Sequence, residues 1–147
     1  MRNAIAILLL ISQCASSFAA LGAAPTKFAG TQAGLNARVL SSDLGSYRRV
    51  DTTLASGTLV REYVTASGVV FAVSWNGPFL PDLRALLGKH FDTLASEAAR
   101  RPKAGHAHIS IDHPEVVVDS GGHMRAYAGR AWVPGLLPTG FTPDDIE

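Results

Sequence analysis

The chain has 147 residues, of which 47% are hydrophobic and 17% are charged, with 13 basic and 12 acidic side chains. This length fits one domain, and the apolar fraction is large enough to bury a core, which argues against disorder throughout. The single cysteine excludes a disulfide scaffold. The near-balance of charge argues against a protein that binds nucleic acid through bulk positive charge, so we expect no nucleic-acid partner.

The first residues are typical of an export signal. Arg2 precedes the apolar run AIAILLLI at residues 4–11, and small residues follow. A charge, an apolar run and small residues in this order form a secretory signal peptide, and the run is shorter than the roughly 20 residues that span a bilayer. Ser17 and Ala19 fit the small positions before a cleavage site. We therefore predict a signal peptide at residues 1–19, cut after Ala19, with no transmembrane segment afterwards.

Two alternatives for this segment stay open. The apolar run could be a helix buried in the fold, although it lacks a helical apolar stripe. Cys14 could carry a lipid, although Gln13 stands where lipoprotein peptidases require a small residue. Cleavage after Ala19 would remove Arg2 and Cys14, which leaves 12 basic and 12 acidic residues and no thiol for catalysis. We expect the mature protein to be periplasmic or secreted.

The next segment, residues 20–46, is rich in Gly, Ala, Ser and Thr. We expect a loosely ordered lead-in here, with at most one short helix along Leu35, Val39 and Leu40.

Three β-prone runs follow, at residues 47–54, 58–65 and 69–75. A short turn that contains Gly68 joins the last two runs, as in a hairpin. The large side chains of the third run fall at every second position, namely Val69, Phe71, Val73 and Trp75. This period of two predicts that they share one face of a strand.

An amphipathic helix is predicted between Leu80 and Pro102. Pro81 and Asp82 suit its first turn, and Pro102 ends it. Its apolar residues recur at spacings of three and four: Leu83, Leu86, Leu87, Phe91, Leu94, Ala95 and Ala98. They form one face, as in a helix that lies on a sheet. Gly88 is a candidate break, because glycine costs about 1 kcal/mol relative to alanine inside a helix.

Further strands are predicted at residues 107–111, 116–118 and 123–133, with a turn at residues 120–122. Prolines and acidic residues then predict a frayed acidic tail at residues 139–147. Strands on both sides of one helix predict an α+β fold, with an antiparallel β-sheet and one main amphipathic helix packed on one face. We place this single domain at residues 47–138, with the helix on the face of Phe71, Val73 and Trp75.

Several motifs in this body carry a family resemblance. In chain order they are VREYV at residues 60–64, VFAVSW at 70–75, GP at 77–78, LPDLR at 80–84, SGGHMR at 120–125 and GRAWVP at 129–134. Together they resemble a family of exported proteobacterial proteins known as domain of unknown function 2844, over most of residues 20–138. Ala20, Leu21 and Gly22 resemble the usual mature start of that family. The resemblance implies a secreted or periplasmic location and supplies no activity, cofactor or catalytic residue.

The histidines offer a candidate metal site. All five lie between His90 and His123, and alternation along a strand would place His106 and His108 on one face. Two imidazoles two residues apart can bind one Zn²⁺ or Cu²⁺, with His123 joining across the sheet or a nearby carboxylate as third donor. The competing interpretation is a polar, solvent-facing strand whose imidazoles gain charge near pH 6.

Motifs for covalent chemistry are missing from the sequence. It contains no G-x-S-x-G, S-x-x-K or H-E-x-x-H pattern. Ser110, Asp112 and His113 have the residue types of a triad, but strand alternation puts His113 on the opposite face from the other two. We predict no catalytic residue and no cofactor, and hence a protein that is not an enzyme.

The remaining candidates are surface features. The basic clusters at residues 48–49 and 100–103 could contact anionic polymers, but a solvated surface is the simpler interpretation. Trp75 and Trp132 lie on predicted strands, which favours packing over a ligand groove. The loop at residues 76–81 could present Phe79 as a docking edge, but we expect Phe79 to pack beneath the loop.

The sequence thus predicts a small exported domain that binds an envelope protein or polymer. The alternative is a metal-binding protein that uses His106, His108 and His123. An unpaired edge strand is the expected contact for a protein partner.

Overall fold

The structure, a computed structural model, describes residues 20–26, 38–100 and 108–147. In chain order its elements are β1 Arg38–Asp43, β2 Tyr47–Thr53, β3 Leu59–Thr65, β4 Val70–Gly77, α1 Leu83–Leu87, a 3₁₀ turn Gly88–His90, α2 Phe91–Arg100, β5 His108–His113, β6 Val116–His123, β7 Ala126–Trp132, and two 3₁₀ turns Pro134–Leu136 and Pro143–Asp145. The predicted signal peptide at residues 1–19 lies outside the described residues, and so does His106.

All seven strands belong to one antiparallel sheet in the order β1-β2-β3-β4-β7-β6-β5. Strands β1 to β4 follow one another as neighbours, and so do β5 to β7. The two groups meet where β4 pairs with β7, a contact between residues far apart in sequence such as Ser74 and Arg130. The predicted α+β fold with one main helix is confirmed.

The helical segment packs on one face of the sheet, over the main core. The Asp82 side chain caps α1 by accepting a hydrogen bond of 3.1 Å from the Ala85 nitrogen. The buried members of this core are Leu21, Val60, Val64, Val70, Val73, Trp75, Leu86, Leu87, Leu94, Ile111, Val116, Val118 and Ala131. We call this side of the sheet the helix-side face.

The predicted break at Gly88 is confirmed, since a 3₁₀ turn separates α1 from α2 there. Gly88 has a φ of +52° and a ψ of −125°, a conformation that suits glycine. A Cβ atom at this position would lie 2.4 Å from the Cβ of Ala20. The break therefore makes room for the segment at residues 20–24, whose Leu21 nitrogen donates a hydrogen bond of 2.8 Å to the Leu86 oxygen.

The prediction that Phe71 shares the helix-side face with Val73 and Trp75 is wrong. Tyr63 pairs with Ala72 and Val64 pairs with Val70, so Phe71 is an extra residue in β4. A bulge of this kind shifts the alternation of side chains by one position. Phe71 therefore packs with Tyr63 on the opposite face.

The short helix predicted along Val39 and Leu40 is also wrong, and Leu35 lies outside the described residues. Both residues belong to β1, which pairs with β2 along its whole length. Pairing with a neighbouring strand overrides a weak helical pattern.

The prediction of a turn at residues 120–122 is also wrong. Strand β6 continues to His123, which pairs with Ala126, so Met124 and Arg125 form the hairpin loop. The glycines of this region are needed inside strands instead. A Cβ atom on Gly122 would lie 2.5 Å from the Ala126 oxygen, and one on Gly129 would lie 2.4 Å from the Trp75 ring.

Candidate functional site

The face of the sheet away from the helix holds the candidate site, and we call it the tail-side face. Residues 141–147 lie across it. Phe141 and Ile146 are buried there, and the Phe141 ring centroid lies 5.0 Å from that of Tyr47 and 4.8 Å from that of Phe71. The predicted fraying of the tail is therefore wrong. Phe141 and Ile146 pack this acidic segment against an aromatic cluster.

Polar contacts hold the same segment at Glu147. Its main-chain nitrogen donates a hydrogen bond of 2.9 Å to the Tyr63 hydroxyl. Its main-chain oxygen accepts hydrogen bonds from Arg61, at 3.1 Å, and from the Ser74 hydroxyl. Its side-chain carboxylate lies 3.1 Å from Arg49. Arginines on β2 and β3 and a serine on β4 thus fix one wall of the site.

A row of charged and polar residues, one on each of five neighbouring strands, crosses the tail-side face. The register places Asp51 opposite Arg61, Arg61 opposite Ser74, Ser74 opposite Arg130, and Arg130 opposite Asp119. Cross-strand neighbours on one face interact directly. An aspartate faces an arginine at each end of this row, Asp51 with Arg61 and Asp119 with Arg130, which favours a fixed arrangement of the long arginine side chains.

An open cavity of about 510 Å³ lies between residues 146–147 and the hairpin of β6 and β7. Small residues, Gly121, Ala126 and Ala128, contribute to its lining. Its polar lining residues are Arg61, Ser74, Asn76, His108, Asp119, His123, Arg130 and Glu147. Because the neighbouring side chains are small, a ligand can approach the sheet backbone closely, and the polar groups can both donate and accept hydrogen bonds. We call this space the tail-side cavity.

The structure brings two of the three predicted metal ligands to this cavity. His108 on β5 and His123 at the end of β6 both line it, whereas His106 lies outside the described residues. The His108 Nε2 atom is 3.1 Å from Oδ1 of Asp119. Within residues 20–26, 38–100 and 108–147, no group of three or more His, Cys, Asp and Glu residues is placed to hold a metal ion.

No sequence motif points to a functional role for three other residues of the cavity, although Arg130 belongs to the motif GRAWVP at residues 129–134. Asn76, Asp119 and Arg130 come together only through the pairing of β4, β7 and β6. The sequence contains one indication that they could line a cavity. Each has a small or polar residue two positions away, which lies on the same face of its strand. His113 lies elsewhere in β5, and its Nδ1 atom accepts a hydrogen bond of 3.2 Å from the Glu115 nitrogen.

Two buried titratable groups lie apart from the cavity. Glu62 is 1% exposed, and burial raises the pKa of its carboxyl even though Thr26 donates to it. His90 is 5% exposed, and burial together with Lys89 lowers the pKa of its imidazole, while Glu115 acts in the opposite direction.

The loop before α1 differs from its prediction. Phe79 is 55% exposed and Leu80 is 48% exposed, so the expectation that Phe79 packs beneath the loop is wrong. The buried Thr58 hydroxyl donates a hydrogen bond of 2.6 Å to the Phe79 oxygen and accepts one of 3.3 Å from its nitrogen. These bonds hold the backbone in place while the side chain faces solvent.

In the part of the chain that the structure describes, none of the helices has the length and apolar character needed to cross a bilayer. No curated protein and no solved structure matches the chain. A family model described as "Protein of unknown function (DUF2844)" matches residues 17–146. Since that match covers most of the sequence, the chain belongs to the DUF2844 family.

Proposed function

We propose that this protein is an exported, non-enzymatic domain, periplasmic or secreted, that binds a protein or a cell-envelope component in the tail-side cavity. The observation that carries the proposal is the convergence of Asn76, His108, His123 and Arg130 on one open cavity. A concave site with a few polar groups of both hydrogen-bonding types is the usual form of a binding site.

The arrangement of these groups favours binding over chemistry. The Ser74 hydroxyl, a lining residue, is buried and donates to Glu147. His108 is held by Asp119, and Arg130 donates a hydrogen bond of 2.8 Å to the Pro143 oxygen. Contacts within the fold thus hold His108 and Arg130 beside the cavity, which lowers the entropy lost on binding.

Export is supported by the amino-terminal pattern of Arg2, an apolar run and small residues. The test is to express the full chain in a Gram-negative host and fractionate the cells. We expect the protein in the periplasm or the medium, with a first residue of Ala20 by mass spectrometry. Recovery of a chain that still carries Arg2 from the cytosol would remove this part of the proposal.

Ligand binding is tested by filling the cavity. Ala128 lines it and is exposed, so Ala128→Trp should occupy the space. Ala99 is exposed on α2, away from the lining residues, so Ala99→Trp is the matched control. The probes are soluble peptidoglycan fragments and detergent-solubilised envelope proteins, each applied to the immobilised protein.

We expect one probe class to bind the wild-type protein and Ala99→Trp equally and to lose binding to Ala128→Trp. Circular dichroism should show the same fold for all three proteins. Equal binding by Ala128→Trp and Ala99→Trp would place the ligand elsewhere, and no binding of either probe by the wild-type protein would count against the proposal.

A second candidate function is metal binding through His108 and His123, because both line the same cavity. His106 is the third predicted ligand. Calorimetric titration with Zn²⁺ or Cu²⁺ should then show binding that is lost in His108→Ala and kept in His113→Ala. An unchanged melting temperature in the presence of either metal would dismiss this candidate.

A further inference from the structure

Strand β5 forms one edge of the sheet. On one side it pairs with β6 from His108 to His113, and no strand of the described residues pairs with its other side. An outer strand offers a row of free backbone N–H and C=O groups that can accept another strand. The edge is therefore a candidate interface.

Within the described residues, β5 lacks most of the features that usually prevent pairing, and Asp112 is its one acidic residue. Natural edge strands are protected by lysine, proline, bulges or short length. The six residues of β5, HISIDH, contain no lysine or proline, and the pairing of β5 with β6 has no register shift. Ile109 is 43% exposed at this edge, and the His108 side chain is 62% exposed.

Symmetry limits how two copies of such an edge can pair. The two-fold axis that relates two antiparallel edge strands runs perpendicular to the sheet, so both copies keep the same face on the same side. Two residues that face each other across the axis point to the same side of the sheet. Because side chains alternate between the two sides along a strand, these residues are an even number of positions apart in the sequence. One central residue therefore faces its own copy, and the axis passes midway between the two.

In β5, an axis at Ser110 gives complementary pairs. His108 then lies opposite Asp112 of the second copy, and Ile109 lies opposite Ile111 of the second copy. A histidine and an aspartate at facing positions can share a hydrogen bond, and apolar pairs stabilise facing positions in antiparallel strands. The other edge strand, β1, lacks this property, because its charged residues Arg38 and Asp43 are separated by an odd number of positions.

We propose that β5 pairs with β5 of a second copy of this chain, antiparallel and centred on Ser110, and so joins two seven-stranded sheets into one. His108 then lies between Asp119 of its own chain, 3.1 Å away, and Asp112 of the second copy. The two tail-side cavities open on the same side of the joined sheet. This inference goes beyond the proposed function and does not depend on it.

The first test measures the mass of the purified protein in solution by light scattering. We expect a dimer for the wild-type protein and a halved mass for Ile109→Lys, because a lysine at this edge opposes pairing. The matched control is Leu40→Lys on the opposite edge, where Leu40 is 51% exposed, and it should stay dimeric. A monomeric wild-type protein, or equal masses for the two variants, would overturn the proposal.

The second test fixes the register by disulfide formation. In a Cys14→Ser background the chain has no other thiol. Two copies of Ser110→Cys would have Cα atoms about 4.5–5.5 Å apart, within reach of a disulfide. Two copies of His113→Cys, a position outside the proposed pairs, would be offset by about 20 Å along the strands.

Mild oxidation should therefore convert Ser110→Cys to a covalent dimer on a non-reducing gel and form no covalent dimer of His113→Cys. Crosslinking of His113→Cys alone, or of both variants to the same extent, would show that the strands do not pair in this register.

Discussion

The main-chain nitrogen of Thr26 donates a hydrogen bond of 2.7 Å to Oε1 of Glu62, a carboxyl that is 1% exposed in the middle of β3. Glu62 lies between Val60 and Val64, which both belong to the helix-side core. The contact joins the segment at residues 20–26 to the sheet. It also makes the stability of the fold depend on the protonation of one side chain.

For Glu62, burial raises the pKa above the unfolded value of 4.5. The folded state then favours the neutral acid, so its contribution to stability is complete below pH 4.5 and is lost as the pH rises through the raised value. Glu62→Gln is neutral at every pH. We expect it to stabilise the protein at about pH 8, by about 1.4 kcal/mol for each unit by which the pKa is raised.

Urea unfolding at two pH values measures this effect. At about pH 4, where the carboxyl is largely protonated in both states, the variant and the wild-type protein should differ little. A variant that matches the wild-type protein at about pH 4 but is less stable at about pH 8 would show that the carboxylate, and not the acid, is the form that the fold prefers.

For His90, burial lowers the pKa below the unfolded value of 6.5. The unfolded state then binds a proton more readily, so stability is lost as the pH falls below 6.5. We expect this loss to be reduced in His90→Gln, by up to about 1.4 kcal/mol per pH unit. Melting temperatures between about pH 7.5 and pH 5.5 give the measurement, and parallel curves for the two proteins would contradict it.

Gly88→Ala should destabilise the fold by about 2–4 kcal/mol, because it combines backbone strain with a clash against Ala20. Gly45→Ala is the matched control, since Gly45 also has a positive φ but has no atom within 4 Å of an added Cβ. We expect it to cost about 1 kcal/mol. Chemical denaturation of both variants measures which of them loses more stability. Equal losses would show that the contact with Ala20 is unimportant.

Phe141→Ala should release the segment that crosses the tail-side face. A buried Phe to Ala change costs about 3–5 kcal/mol, and the lost ring contacts are those with Tyr47, Tyr63 and Phe71. Limited proteolysis should cut near residues 141–147 faster in this variant. Leu136→Ala, at a position that is 37% exposed, should leave the rate of cutting unchanged, and a wild-type rate in Phe141→Ala would refute the expectation.

Local patterns in the sequence predict the helix and most strands well. The spacing of Leu83, Leu86 and Leu87 is sufficient to define the apolar face of α1, and Gly88 marks its end. The bulge at Phe71 is different, because it is set by the register with β3 and not by the order of residues in β4. Period-two alternation carries no information about an extra residue.

The candidate site could be predicted only in part, for a related reason. The sequence suggests that His108 and His123 lie on one face of the sheet, and both line the tail-side cavity. Asn76, Asp119 and Arg130 meet only once β4, β7 and β6 are known to be neighbours. That order follows from a long-range pairing, which local patterns do not encode.

The pairing of β4 with β7 also has a consequence for folding. Ser74 and Arg130 are neighbours there, whereas all other strand pairs join consecutive strands. Closing a long loop is entropically costly and slow. We therefore expect β1 to β4 and β5 to β7 to form as two separate sheets first, which then join by the pairing of β4 with β7. Separately expressed fragments carrying β1 to β4 and β5 to β7 should accordingly complement each other to restore the native sheet.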